Sequence, residues 1–306
     1  MNVIFFGSSS FSVPPLKSIS QYVSVVVTKK AKPKGRGYVF EDNEVKKAAL
    51  ESNLPLIEIE SFRDDASMLL KDYKPDLFVV ASFGIIIPRW VLDIPSIGAI
   101  NIHPSLLPQY RGPSPIQWAL LNCDDKTGIT LINMNEKMDA GNIVYQEDMK
   151  IDSGDNFITL SERLSLRSAE IIKDMLSKIE IEGMPQGVEQ RHEMATFTRI
   201  ITKEMGKIDW NTTSKEIVGR IKAFVNWPTA YTFLDDVLFK IFDGKIFYTD
   251  RKKLPGSILE IVKEGIVIQS SDSAVLAKEV QLQNKRRMKA IDFANGYRGL
   301  MGKVLK

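Results

Sequence analysis

The sequence predicts an α/β chain, with a mostly parallel sheet in front and a small β-barrel behind. Three observations carry that expectation. Residues 2–6 (Asn-Val-Ile-Phe-Phe) read as a buried strand ending at Gly7, a helix follows with Pro14 and Pro15 in its first turn, and a second apolar run spans Val23–Val27. That succession is a βαβ opening. Asp76–Ala81 is apolar after its first residue, as a strand covered on both faces must be. Beyond residue 205, short strand patterns recur between Asp-Gly, Pro-Gly and Glu-Gly turns. A length of 306 residues suits about two domains, and the pattern places them at 1–182 and 205–306, with 183–204 as a polar linker.

Composition sets the class. Hydrophobic residues make up 44% and charged residues 26%, the balance of a globular protein. The longest apolar runs fall far below the ~18 residues of a membrane span. The first residues go straight into a strand pattern without a basic leader, so no secretory signal is expected. A single cysteine, Cys123, excludes an internal disulfide and a cysteine-based metal cluster. A reduced, cytoplasmic protein is the plain reading. Net charge is +3 but uneven: residues 1–204 carry 23 Lys+Arg against 27 Asp+Glu, and residues 205–306 carry 18 against 11. The +7 of the last third suits a polyanionic partner or a solvated basic face.

In chain order, the first turn reads Gly-Ser-Ser-Ser-Phe (7–11). The opening is Rossmann-like, but Gly-x-Gly-x-x-Gly is missing, so a bound dinucleotide is not expected. Lys29, Lys30, Lys32, Lys34 and Arg36 follow without an acid between them, and Gly35 and Gly37 flank Arg36. Such a loop can present Arg36 at a tip to a nucleic-acid phosphate, or simply be solvated. Residues 43–52 read as a helix, Leu56–Ile59 as a strand, and 63–73 as a helix with Leu69 and Leu70 on its apolar side. Residues 82–88 form a turn with an apolar tip, against which a flat aromatic ligand can sit. Ile116–Asn122 is helical and Gly128–Asn133 a strand. Asp155–Ile179 is an amphipathic helix with Ile158, Leu160, Leu164, Ile171, Ile172, Met175 and Leu176 as its apolar set. A helix at about 213–224 meets Asn226-Trp227-Pro228. Strands are then expected at Ala230–Leu234, Leu238–Phe242, Lys245–Tyr248, Ser257–Val262, Gly265–Gln269 and Ala274–Gln283.

Chemistry concentrates at 98–118. The apolar run Ala99–Ile102 carries Asn101, ends at His103 and meets Pro104, which cannot continue a strand's hydrogen bonding. Asn101 and His103 are two apart and share one face of a strand. Parallel α/β sheets place their ligands at such strand ends. A lone histidine is more often structural, but Asp139 stands in a turn after the next strand. An amide donor, an imidazole and a carboxylate suit acyl transfer, in which a carbonyl oxygen gains negative charge. His192, in the polar linker, reads as a surface residue. With two histidines in the chain, a zinc site is not expected.

Asn-Ile-His-Pro-Ser-Leu-Leu-Pro-Gln-Tyr-Arg-Gly (101–112), with Gly-Ile-Thr (128–130) and Met-Asp-Ala-Gly-Asn-Ile (138–143) downstream, resembles the 10-formyltetrahydrofolate-dependent formyltransferases. The resemblance implies a Rossmann-like catalytic domain with Asn101, His103 and Asp139 as the catalytic trio, a folate donor and no metal. It implies that Ser105, Leu106, Leu107 and Pro108 line the folate site, and that the Phe83–Pro88 turn (Phe83, Gly84, Ile86, Ile87) receives the pterin. The whole chain resembles the branch of that family that formylates methionyl initiator tRNA. Lys32–Gly37 is similar to that branch's inserted basic loop, which implies tRNA contacts by Lys32, Lys34 and Arg36. Ile208-Asp209-Trp210 and Ala223–Pro228 resemble its C-terminal motifs, and the basic barrel its OB-like tRNA-binding domain. A monomer is expected. Gly7-Ser8-Ser9 departs from the Gly-Thr-Pro usual in that branch, so a different local loop geometry is expected, and the segment after Lys289 resembles it only weakly. Other formyl-folate enzymes, acting on a nucleotide or sugar or releasing formate, have no need of the basic loop and barrel. A non-catalytic RNA-binding protein on the same fold would have no need of His103.

Overall fold

The computed structural model describes residues 1–31, 33–34, 39–63 and 65–306, with backbone alone at 33, 34, 39, 40, 65 and 66. Two compact units share the chain. One comprises residues 1–115, 126–150 and 161–198; the other comprises 116–125, 151–160 and 199–306.

The first unit is built on β1 (Val3–Gly7), β2 (Val23–Lys29), β5 (Leu56–Ile59), β6 (Leu77–Ala81), β7 (Gly98–His103), β8 (Lys126–Asn133) and β9 (Ile143–Lys150), and β3 (Pro33–Lys34) and β4 (Val39–Phe40) form a separate two-strand ladder. The sheet order is β5-β2-β1-β6-β7-β8-β9. The pairs from β5 through β7 are parallel, and β7–β8 and β8–β9 are antiparallel. Strands β1 and β6 are buried at every residue, which explains their unbroken apolar runs. Phe6 packs on Phe78 and Phe83 with ring centroids 4.9 and 5.4 Å away. Asn43 caps the helix Glu44–Glu51 by accepting from the Lys46 N–H, and its amide donates to the Lys29 carbonyl, fixing that helix to the end of β2.

Two expectations in this part of the chain need correcting. Among the described residues of 63–73, the chain forms only the short helix Asp65–Met68 and a 3-10 turn, Leu69–Tyr73. At three residues per turn, adjacent side chains diverge by about 120°, so Leu70 is fully buried while Leu69 is 49% exposed. In the helix Phe157–Glu182 the expected apolar set is buried except Ile158, which sits in the first turn and is 51% exposed.

The second unit is an antiparallel sheet of β10 (Ala230–Leu234), β11 (Val237–Phe247), β12 (Ile258–Val262), β13 (Gly265–Gln269) and β14 (Ala274–Leu282), in the order β10-β11-β14-β13-β12, with β15 (Met288–Lys289) pairing β14. The expected strands Leu238–Phe242 and Lys245–Tyr248 are one strand. Asp243-Gly244 is not a turn there but a bulge, where the register against β14 slips at Asp243 and again at Gly244. The sheet closes on itself through residues 302–306. Gly302, Lys303 and Leu305 exchange backbone hydrogen bonds with Ile258 and Gly256, and Lys306 does so in both directions with Phe233 at 3.0 Å. The weakly matching end of the chain therefore joins β12 to β10 and completes the OB-like barrel. Trp210 and Phe239 fill its core, and the Trp210 indole donates to Thr232, whose hydroxyl donates to the Lys306 carbonyl. The helix Ser214–Ala223 starts in a capping box between Thr213 and Glu216.

Candidate active site

Strand β7 ends between a parallel and an antiparallel neighbour, and its last residues carry Asn101 and His103 to one face. Asp139 comes from the turn between β8 and β9. Its backbone is left-handed, with φ of 51°, which is uncommon outside glycine and marks a turn held by its surroundings. Gly141 fixes the same turn, since a Cβ there would fall 1.7 Å from the Asn133 carbonyl oxygen.

The three side chains converge. Asn101 Nδ2 donates to Asp139 Oδ1 at 3.1 Å. His103 Nδ1 lies 3.7 Å from Asp139 Oδ2. Gly112 donates its backbone N–H to the same Oδ2 at 2.8 Å. His103 Nε2 is 2.9 Å from the Tyr110 carbonyl. A carbonyl can only accept, so Nε2 carries a proton and Nδ1 is the nitrogen that faces Asp139. Asn101 commits one amide hydrogen to Asp139 and keeps the second. His103 is buried and Asp139 is nearly so. The arrangement can hold a neutral N–H and an imidazole against one reacting oxygen, with a carboxylate behind both.

Other expected residues divide by what they touch. Ser105 is buried and its hydroxyl donates to the Gln109 carbonyl at 2.7 Å. Leu107 is buried, and its N–H donates to Thr130, whose hydroxyl donates in turn to the Ser105 carbonyl. Phe83 and Ile87 lie in the apolar core, whereas Ile86 at the tip of that turn is 79% exposed. Gly84 has φ of 67° and is exposed, and Leu106 and Pro108 are partly so. Ser8 donates its hydroxyl to the Phe83 carbonyl at 2.7 Å, which ties the unusual Gly7-Ser8-Ser9 turn to the turn at 82–88. Lys32 and Arg36 lie outside the described residues, and Lys34 is described only as backbone in β3.

Sequence reasoning passed over Arg111 and Gln190. Arg111 is buried, and its Nε and Nη2 donate to Gln190 Oε1 at 3.1 and 2.7 Å. Its Nη2 also donates to His192 Nδ1 at 2.8 Å, so His192, half-exposed as a surface residue, also holds one edge against the site. Burial pushes the Arg111 guanidinium below its usual range, and the charge of Asp139 opposes that shift. Arg111 sits inside the 101–112 motif and was findable there. Gln190 lies 51 residues from Asp139 in a run with no periodicity to mark it.

Residues 1–176 match the family described as formyl transferase, and residues 200–298 match its C-terminal domain. The chain belongs to the formyl transferase family. A curated relative of this formyl transferase, the methionyl-tRNA formyltransferase of Staphylococcus aureus (strain Newman), is 38% identical over 99% of both chains. Two solved structures share the fold. HypX from Aquifex aeolicus in complex with tetrahydrofolic acid gives a TM-score of 0.67 at 16% identity over 99% of this chain and 48% of that one, so the present chain spans about half of HypX. An N-formyltransferase from Helicobacter canadensis in complex with folinic acid and dTDP-3-aminofucose gives 0.64 at 18% identity over 90% and 98%. Among the described residues, no helix of this formyl transferase is long and apolar enough to cross a membrane, and no three His, Cys, Asp or Glu side chains gather as metal ligands.

Proposed function

We propose that this formyl transferase moves the formyl group of 10-formyltetrahydrofolate to the α-amine of methionyl initiator tRNA, with Asn101, His103 and Asp139 as its catalytic residues. The carrying observation is the convergence of Asn101 Nδ2 and His103 Nδ1 on the Asp139 carboxylate, at 3.1 and 3.7 Å. The full-length identity to the S. aureus enzyme supports the choice of acceptor.

In this scheme the amine attacks the formyl carbon directly, so no covalent enzyme intermediate is required. The electron pair of the carbonyl moves onto oxygen, where the second Asn101 amide hydrogen stabilises it together with the His103 Nδ1–H, present when that nitrogen as well as Nε2 carries a proton. Asp139 faces His103 Nδ1, sets its protonation and helps take up the proton lost by the amine. When that oxygen reforms its double bond, the folate nitrogen leaves with the proton that the amine gave up. Amide and imidazole donors preset around a developing oxyanion contribute about 10²–10³ each to turnover. Bringing two large substrates into register supplies several further kcal/mol, on the order of the effects known for oriented reactants.

The folate would lie along the exposed rim, Gly84 and Ile86 with Leu106 and Pro108, while Phe83, Ile87, Ser105 and Leu107 hold that rim from beneath. Residues 1–182 would form the catalytic domain, 183–204 the linker, and 205–306 the tRNA-binding domain, whose +7 charge supports phosphate binding. Lys32, Lys34 and Arg36 would meet the acceptor end, where RNA is read by shape and exposed bases. The protein would act as a cytoplasmic monomer, using side-chain and backbone groups alone. The test is to supply purified protein with methionyl-tRNA and 10-formyltetrahydrofolate labelled in the formyl group. Labelled formylmethionine is expected; free formate as the main product would overturn the reading in favour of a hydrolase.

A further inference from the structure

We propose that Gln190, oriented by Arg111, is a positioning residue that clamps the Asp139 turn to the 110–112 loop and thereby sets the aim of the Asp139 carboxylate. The proposal rests on the reading of Asp139 as a catalytic residue.

The geometry begins with the carboxamide of Gln190. Its oxygen accepts from Arg111 Nε and Nη2 at 3.1 and 2.7 Å, and its nitrogen donates to the carbonyls of Asp139 and Gly141 at 2.9 and 2.7 Å. Only donors face one end of the amide and only acceptors face the other, so its orientation is fixed. Both amide hydrogens and the oxygen are used, and the residue is buried. A polar side chain satisfied at every position in a buried site has one arrangement rather than several.

What the clamp joins is the informative part. On one side stand Asp139 and Gly141, whose carbonyls bracket the left-handed turn that aims the carboxylate. On the other stands Arg111, between the Tyr110 carbonyl that accepts from the His103 Nε2–H and the Gly112 N–H that donates to Asp139 Oδ2. The two loops thus meet twice, once through Gly112 on the carboxylate itself and once through Arg111–Gln190 on its backbone. No carboxylate pairs with Arg111 among the described residues. The Gln190 amide oxygen and His192 Nδ1, each accepting, hold the guanidinium instead, which leaves Asp139 without an arginine partner and available to His103. An acid at position 190 would also hold Arg111, but it would donate to neither carbonyl of the Asp139 turn and would set a second negative charge beside that turn, so an amide suits the chemistry better.

Gln190→Glu tests this. The acid keeps an acceptor for Arg111, so the fold retains a partner for its buried cation. It loses both donors, however, and sets a carboxylate oxygen against two carbonyls. The expected result is a kcat at least tenfold lower with both KM values within about twofold of the parent, since the carboxylate is misaimed while the substrate surfaces are untouched. In an Asp139→Asn background the same substitution should cost less than twofold more, because residues that act through one group are not additive. Arg111→Lys, which keeps the charge but cannot grip Gln190 with a fork, should lower kcat in the same way, and it carries the test if Gln190→Glu does not fold. A parental kcat in Gln190→Glu or in Arg111→Lys, or a full tenfold loss repeated in the Asp139→Asn background, overturns the clamp. Parental kcat in Asp139→Asn alone would instead remove the catalytic reading beneath it.

Discussion

The backbone N–H of Gly112 donates to Asp139 Oδ2 across 2.8 Å, so the loop that follows the His103 strand grips the carboxylate from the next turn along the chain. Gly112 has φ of 104°, and a Cβ there would come 3.0 Å from Thr198 Oγ1 and 3.1 Å from its carbonyl oxygen. Only glycine takes that conformation without strain. Gly112→Ala is therefore expected to cost about 1–3 kcal/mol of stability and to lower kcat, because the N–H moves with the backbone. Steady-state kinetics beside a denaturant melt would show both, and an unchanged kcat would make the contact incidental.

Two members of the proposed catalytic trio should matter by orders of magnitude. Asn101→Ala and Asp139→Ala are each expected to lower kcat by about 10²–10⁴ while affinity for tRNA survives. Filter binding and turnover measured on the same preparations separate the two effects. Near-parental turnover in either variant would remove that residue from the trio.

Binding of tRNA should be electrostatic. Arg36→Ala is expected to raise the KM for methionyl-tRNA about tenfold and leave the KM for folate alone. Affinity for tRNA should fall linearly on a log–log plot as salt rises, in proportion to the phosphates neutralised. A flat salt response would argue that the +7 of residues 205–306 is a solvated face.

A pH dependence of stability follows from Glu147. Arg167 grips it at 2.8 and 2.9 Å and the Tyr145 hydroxyl donates to it at 2.6 Å, which holds its carboxyl down at about 2. A carboxylate lowered in the folded state stabilises above its unfolded value, near ~4.3, and loses that contribution as pH falls through the folded value. Both side chains are about one-third exposed, so the discounted contribution is about 1 kcal/mol. Glu147→Gln should be about 1 kcal/mol less stable than the parent at pH 7, with the gap closing between pH 4 and pH 2. Urea melts across that range check it; a gap that widens on acidification would contradict the sign.

Removal of residues 303–306 should open the second unit's sheet. It deletes the backbone bonds to Ile258, Gly256 and Phe233 and the buried Leu305 side chain. At about 1 kcal/mol net for each bond and about 2 for the leucine, a loss of at least 3 kcal/mol is expected. A change below about 1 kcal/mol in the unfolding of that unit would mean that the closure contributes nothing to stability.

Much of this was legible in the chain because it depends on period and punctuation. Alternation placed Asn101 and His103 on one face, and Pro104 ended their strand. Unbroken apolar runs marked β1 and β6 as covered on both sides. Legibility failed where long-range contacts decide. Asp243-Gly244 has the composition of a turn, but β14 runs past it on the other side and turns it into a bulge. Leu69 and Leu70 look alike in sequence, and only the tighter winding of that segment separates them. The carboxylate was named, but its aim was not, because the aim is set by Gly112, Gln190 and a left-handed backbone that no local pattern announces. The family resemblance supplied the donor and acceptor, which no spacing could.

The closure of the barrel has a consequence for how the chain is made. Residues 303–306 are translated after every strand they join, so β12 leaves the ribosome with its outer edge unpaired and β10 with its outer edge held only at Tyr231, by Ile208. The amides of Phe233 and Ile258 wait for partners while some 45–70 further residues are added, a delay of several seconds at elongation rates of about 5–20 residues per second. The seven-stranded sheet of the first unit, complete at Lys150, has no such wait. A nascent chain stalled short of Lys303 would therefore carry a finished formyl-transfer scaffold and two exposed strand edges, open to the other nascent chains on a crowded polysome.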